Sequence, residues 1–261
     1  MQKIIRYLSK EKFEWLLADK GIYVAPASKQ NDEMEGIYNH QVVYAPLRDS
    51  QLPNIIDFEK LDDLAQAQMH HARNNSYLSS WYFGDDEKQS MWNEYASDGV
   101  LIVSSVLSLA TQLPDPLGHA SSLCKVTYDD ATKANASNEP LNYKNLNWKD
   151  ENEFRLIFDA HKYCLLTGYQ KEYFSIPFSN DVPSYEDPEI TSGISEKGLA
   201  QKLDVLYPKG SGHVLKFDLS KLIEEIRLHP QCPASEKSYF DKITRESGLE
   251  ISIFPSHLER G

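Results

Sequence analysis

Only three of the 261 residues are cysteine: Cys124, Cys164 and Cys232. They are odd in number, far apart, and form no C-x-x-C pair. That pattern excludes a disulfide framework and argues against a structural zinc site. Three buried or idle thiols in a reducing cytoplasm are expected. Long apolar runs are also missing, and none approaches the ~18–20 residues of a membrane span. The stretch Met1 to Tyr7 has no long apolar segment and no small-residue cleavage site, so it does not read as a signal peptide. Positive charge is in deficit, with 27 Lys plus Arg against 39 Asp plus Glu, a net charge of −12. Such a chain repels phosphate backbones at long range. Its basic residues are scattered, without a run that reads as a nucleic-acid or lipid patch. Several catalytic signatures are absent as well. There is no G-x-G-x-x-G after a strand, no phosphate-binding Walker loop, no kinase set, no G-x-S-x-G elbow and no H-E-x-x-H.

What is present is a folding composition: 41 % apolar residues, with 15 Tyr, 10 Phe and 4 Trp. At roughly 100–200 residues per domain, the length fits one elaborate domain or two small ones. The chain opens with a strand, Ile4 to Tyr7. Ser9 caps a helix carrying Phe13, Leu16 and Leu17, which stops at Gly21. Ile22 to Val24 is a second strand, followed by a polar loop from Ser28 to Gly36. Residues 58–72 have helical spacing; their neighbouring His70 and His71 read as surface histidines. Tyr77 to Phe83 is a strand. Asp85 or Asp86 caps a helix whose stripe of Met91, Trp92, Tyr95 and Ala96 reads as core. Further strands are Val100 to Val103, Leu123 to Tyr128, Glu153 to Phe158 and His213 to Phe217. Residues 129–147 read as a surface excursion. Leu219, Leu222, Ile223 and Ile226 form a helix face stopped by Pro230. A last helix around Tyr239, Phe240 and Ile243 leads into Leu249 to Phe254. Strands and helices mix without a βαβ repeat. The expected fold is α+β: one domain over 1–261, with a mixed, mostly antiparallel sheet, flanking helices, and an irregular loop near 180–212.

Chemistry concentrates in Tyr143 to Phe158. On a strand, Glu151, Glu153 and Arg155 face one side while Phe154, Leu156 and Phe158 face the other. Two carboxylates and a guanidinium form either a solvated face with an internal ion pair or one edge of a pocket. Lys144 and Trp148 lie beside the row, and adjacent carboxylates can have their pKa values driven apart. A second polar cluster, Asn31, Asp32, Glu33 and Glu35, is too short for a calcium loop. It reads as a turn or as a functional group set. Arg6 is a charge inside the first apolar strand and needs a carboxylate partner; Asp32, Glu35, Glu151 and Glu153 are the candidates.

The ordered set Arg6-Tyr7-Leu8-Ser9, Asn31-Asp32-x-x-Glu35-Gly36, Ser79-Ser80-Trp81, Met91-Trp92-x-x-Tyr95-Ala96 and Lys144-x-x-x-Trp148-x-x-Glu151-x-Glu153-x-Arg155 resembles a bacterial domain-of-unknown-function family, number twenty-nine seventy-one. The resemblance covers most of the chain, with Glu33 where that family usually has proline. The family name implies no activity. More loosely, Arg6, then Ser79 or Ser80, then Glu151-Asn152-Glu153 is similar to the order seen in Arg-Ser-Glu-class ADP-ribosyltransferases. That resemblance implies NAD as co-substrate and a bacterial toxin or phage-defence effector. It implies that Arg6 anchors the NAD phosphates and that Ser79 or Ser80 supports the glutamate. Glu153 would hold the ribose 2′-hydroxyl, and Glu151 would orient the acceptor or a water. Tyr7, Trp81 or Tyr95 would stack on the nicotinamide. It also requires Arg6, Ser80 and Glu153 to face one cleft from neighbouring strands, not opposite sides of the sheet. Two other functions fit the same residues. One is a metal-dependent nuclease or phosphoryl-transfer enzyme, in which Asp32, Glu35, Glu151 and Glu153 hold the cation and Lys144 stabilises charge. The other is a non-enzymatic ligand-binding or sensor module.

Overall fold

The computed structural model describes residues 2–38, 57–129, 139–167, 169 and 204–258. Strand β1 (Lys3–Leu8) alternates its side chains between two apolar layers: Ile4 and Leu8 join one core cluster, Ile5 and Tyr7 another. Ser9 accepts from the Lys12 backbone N–H and starts α1 (Lys10–Asp19), which buries Phe13, Leu16 and Leu17. The helix stops earlier than glycine placement predicts. Lys20 takes the left-handed conformation as its C-cap, and Gly21 opens β2 (Gly21–Pro26). Glycine is required at 21 for another reason: a Cβ there would lie 2.3 Å from the Leu215 carbonyl oxygen.

Helix α2 (Phe58–Asn75) leads into β3 (Ser76–Phe83). Helix α3 (Gln89–Tyr95) has no side-chain cap; Lys88 occupies the N-cap position, so neither Asp85 nor Asp86 plays that part. Next come β4 (Val100–Ser105), α4 (Val106–Thr111), β5 (Ser121–Lys125) and β6 (Thr127–Asp129). The predicted strand from Leu123 to Tyr128 is thus two strands. The excursion predicted over 129–147 holds β7 (Tyr143–Asn145), which pairs with β6; residues 130–138 lie outside the described residues. Strand β8 (Glu153–Asp159) is followed by α5 (Ala160–Thr167). The loop predicted near 180–212 lies largely outside the described residues, but its end contains β9 (Leu206–Lys209), paired with β10 (Gly212–Lys216).

The helix predicted through Ile226 is a correction. Only α6 (Leu219–Leu222) is helical, and β11 (Glu225–Leu228) pairs with β4. Ile226 keeps its buried place, but sheet pairing overrides the helical spacing. Helix α7 (Ala234–Glu246) and β12 (Ile253–Phe254) complete the described chain. The main sheet runs β12-β11-β4-β1-β3-β2-β10-β9, with β8 on β3 and β5 on β8. Its pairings are antiparallel except β11 with β12, so the mixed, mostly antiparallel α+β fold stands. No described helix is long and apolar enough to cross a membrane.

One topological feature creates the site. β1 pairs with β3 only at Ile4↔Phe83 and Ile5↔Tyr82. β2 pairs with β3 only at Ala25↔Leu78 and Pro26↔Tyr77. Between these contacts, Ser79, Ser80 and Trp81 have ladder partners on the β8 side alone. The sheet is split there.

Candidate functional site

A cleft of about 360 Å³ opens at the split, a size usual for small-molecule sites. Arg6, Tyr7, Ser80, Trp81, Tyr95, Lys144, Glu151 and Glu153 line it, as do Asn31, Asp32 and Glu35. The sequence-predicted residues therefore converge, with two exceptions. Ser79 is turned to the opposite face of β3, where its Oγ accepts from Trp81 Nε1. Arg155 is completely buried and does not line the cleft.

Arg155 is instead the fastener behind the site. Its Nε and Nη2 donate to the two oxygens of Glu153 at 2.8 and 2.9 Å. Its Nη1 and Nη2 donate to the two oxygens of Glu35 at 2.7 and 2.9 Å. Nη1 also donates to the Leu141 carbonyl at 2.5 Å. These contacts use all five guanidinium N–H groups. Glu35 arrives on the polar loop after β2, and Arg73 of α2 anchors that loop by donating to the carbonyls of Glu33 and Glu35. Asp32 has a turn role, accepting from the Met34 N–H at 3.0 Å.

Glu153 is the most constrained carboxylate at the cleft. Ser80 Oγ donates to Oε1, and Lys144 Nζ lies 3.4 Å from Oε2. Its backbone N–H donates to the Tyr128 hydroxyl at 2.7 Å. Burial pushes its pKa up, but Arg155, Lys144 and Ser80 outweigh burial and hold it below its ordinary value. Burial pushes the Glu35 carboxyl up, against the pull of Arg155.

Glu151 is not on the strand. A 3-10 turn ends there, and Asn152, at φ 39°, reverses the chain into β8. Asparagine tolerates that left-handed conformation. Its side chain then donates to the Phe83 carbonyl, tying the corner to β3. So placed, Glu151 accepts from Tyr95 Oη at 2.7 Å and from Lys144 Nζ at 2.6 Å. Burial and the Glu151 carboxylate raise the Tyr95 pKa. Burial also pushes the Tyr7 hydroxyl up to about 12, and it accepts from the Lys88 N–H.

Arg6 departs from expectation. It forms no ion pair with any of the four proposed carboxylates and lies 5.7 Å from the Trp81 ring centroid. Burial lowers its pKa to about 10, still a cation at neutral pH. It opposes Ile102 of β4 and shares the face of Ile4 and Leu8, whereas Glu153 leaves the opposite face with Arg155. Arg6 and Glu153 do not share one side of the sheet. The one-sided arrangement that the transferase resemblance requires is therefore not formed, although both residues line the opening left where β1 parts from β3 after Ile5.

Lys12, Trp15 and Asp19 line the cleft from α1 and were not among the predicted site residues. Their spacing of three and four puts them on one helix face, and Trp15 stays 42 % exposed; an exposed tryptophan beside an apolar stripe was the available signal. Of the cysteines, Cys164 is buried and the other two are partly so. His71 packs edge-on against His161 at 5.6 Å. Among the described residues, no group of three or more His, Cys, Asp or Glu is placed to hold a metal ion. Comparison with family models, curated proteins and solved structures finds no match for this chain.

Proposed function

We propose that the chain is an NAD-cleaving enzyme that passes ADP-ribose to an acceptor or to water. The observation that carries this reading is the Ser80–Glu153 pair at the cleft, braced from behind by Arg155. Cleavage breaks the bond between the ribose carbon and the nicotinamide nitrogen. The electron pair leaves with nicotinamide, and positive charge develops on the sugar. A fixed, ionised carboxylate stabilises that charge without reorganising. Glu153 fits this role because Ser80 and two nitrogens of Arg155 fix its position. Glu151 sits beside it, accepting from Tyr95 and Lys144. Arg6, on the opposite face of the sheet, takes no part in this reading, which rests on Ser80 and Glu153.

The reading is tested by nicotinamide release from NAD with the purified protein and Glu153→Gln. The variant is expected to lose about a hundredfold or more of the rate, the scale for one preorganised electrostatic group, while its circular dichroism is unchanged. Full turnover in the variant, or none in the parent chain with cell lysate as acceptor source, removes the proposal.

A further inference from the structure

Two cations serve the carboxylates of the cleft, and they are built differently. Arg155 is completely buried with every N–H engaged. Lys144 is a compact ammonium on a flexible stem, 2.6 Å from Glu151 Oε2 and 3.4 Å from Glu153 Oε2. Its Nζ also stands 4.5 Å from the Trp148 ring centroid. Two carboxylates and an aromatic face around one positive charge make the surroundings that recognise organic cations.

We propose that this niche is the receptor for the positive charge of a flat organic cation, and that the Lys144 ammonium holds the place such a cation takes. The inference deepens the reading above, because the oxidised nicotinamide ring is a pyridinium cation. Both carboxylates have other donors to hold them if Lys144 turns away. Glu151 retains the Tyr95 hydroxyl, and Glu153 retains Ser80 and both nitrogens of Arg155. Without Lys144, Glu35 and Glu153 keep Arg155, but Glu151 keeps the Tyr95 hydroxyl and, among the described residues, no cation, and that carboxylate calls for a replacement charge. Burial lowers the Lys144 pKa, yet Glu153 and Glu151 outweigh it and raise the value above the ordinary one, so the ammonium is a stable occupant. Bond cleavage neutralises the pyridinium ring, because its nitrogen keeps the bonding electron pair. The leaving group then loses its attraction to the niche, which favours its exit.

The experiment measures binding by calorimetry to the intact protein and to Lys144→Met, which keeps the stem and removes the charge. The probes are 1-methylnicotinamide, a pyridinium cation without phosphates, and oxidised and reduced NAD. The variant should bind 1-methylnicotinamide and oxidised NAD about tenfold more tightly, with reduced NAD, whose ring is neutral, little changed. Adding Glu151→Gln should erase the gain. In the intact protein, the Lys144 Nζ resonance should shift as 1-methylnicotinamide is added, a readout independent of the variant's folding. Equal or weaker binding by Lys144→Met, or no binding of either cation by either protein, overturns the proposal. A gain for 1-methylnicotinamide in a chain that never cleaves NAD supports the niche while removing the enzymatic reading. Cleavage with no gain does the reverse.

Discussion

Glu153-Phe154-Arg155 on β8 and Glu225-Ile226-Arg227 on β11 are the same pattern at separate places in the sheet. In each, the arginine Nε donates to Oε1 of the glutamate two residues earlier, at 2.8 and 2.5 Å. In each, a distant glutamate completes the cluster: Glu35 for Arg155, Glu87 for Arg227. The difference lies in what stands in front. Glu153 looks into the cleft. The Arg227 cluster looks at the C-terminal segment, where Ser256 Oγ and the His257 N–H donate to Glu87, as does Trp92 Nε1. One local pattern can thus brace a carboxylate at a cleft or clasp a separate segment of chain, and only tertiary placement distinguishes the two.

Replacing each arginine by leucine tests this contrast most severely. Arg155→Leu leaves Glu35 and Glu153 buried without their cation and should cost about 3–5 kcal/mol of unfolding free energy. Arg227→Leu should cost less, about 2 kcal/mol, because Glu87 keeps its other donors and Glu225 is partly exposed. Urea titration of both variants checks the order. Nicotinamide release per folded molecule should survive only the second change.

Acid sharpens the comparison by separating pH windows. Glu153 is depressed, so its stabilisation is present above its unfolded pKa and is lost as pH falls through its lower folded value. His213 is packed edge-on against Tyr77, and burial lowers it to about 4. Its neutral form is the folded one, so its contribution is complete above about pH 6.5 and is lost on descending toward 4. That difference is worth about 3 kcal/mol. Unfolding measured at intervals between pH 7 and 4 should show the loss, and His213→Phe should flatten it. The smallest effect belongs to the clasp: Ser256→Ala removes one hydrogen bond to Glu87 and should cost about 1 kcal/mol in thermal unfolding, with turnover unchanged.

Sequence pattern and structure coincide where period and punctuation agree. β1, β3, β8 and α7 lie where the alternation or the helical spacing puts them. Pattern and structure part where a tertiary partner decides. Ile226 fits a helix stripe as well as a strand, and only pairing with β4 resolves it. Glu151 has strand spacing from Glu153, yet the left-handed Asn152 places it on a turn. The polar residues that converge were visible as residue types. Their division was not: Arg155 goes behind the site, Ser79 to the far face, and Arg6 to the opposite bank. Ser79 follows from strand alternation beside Ser80, Arg155 from the loop that brings Glu35 behind β8, and the opening beside Arg6 from β1 parting from β3 after two residue pairs.

That parting makes the opening a slot framed by backbone. Its frame is β1 on one side, β2 on the other and three residues of β3 across the floor. Backbone rather than side chain therefore sets the edges of the opening. Side-chain substitutions can repaint its walls without moving those edges. Only a shift in how β1 or β2 pairs with β3 would widen it, and such a shift would turn apolar side chains out of both core layers at once.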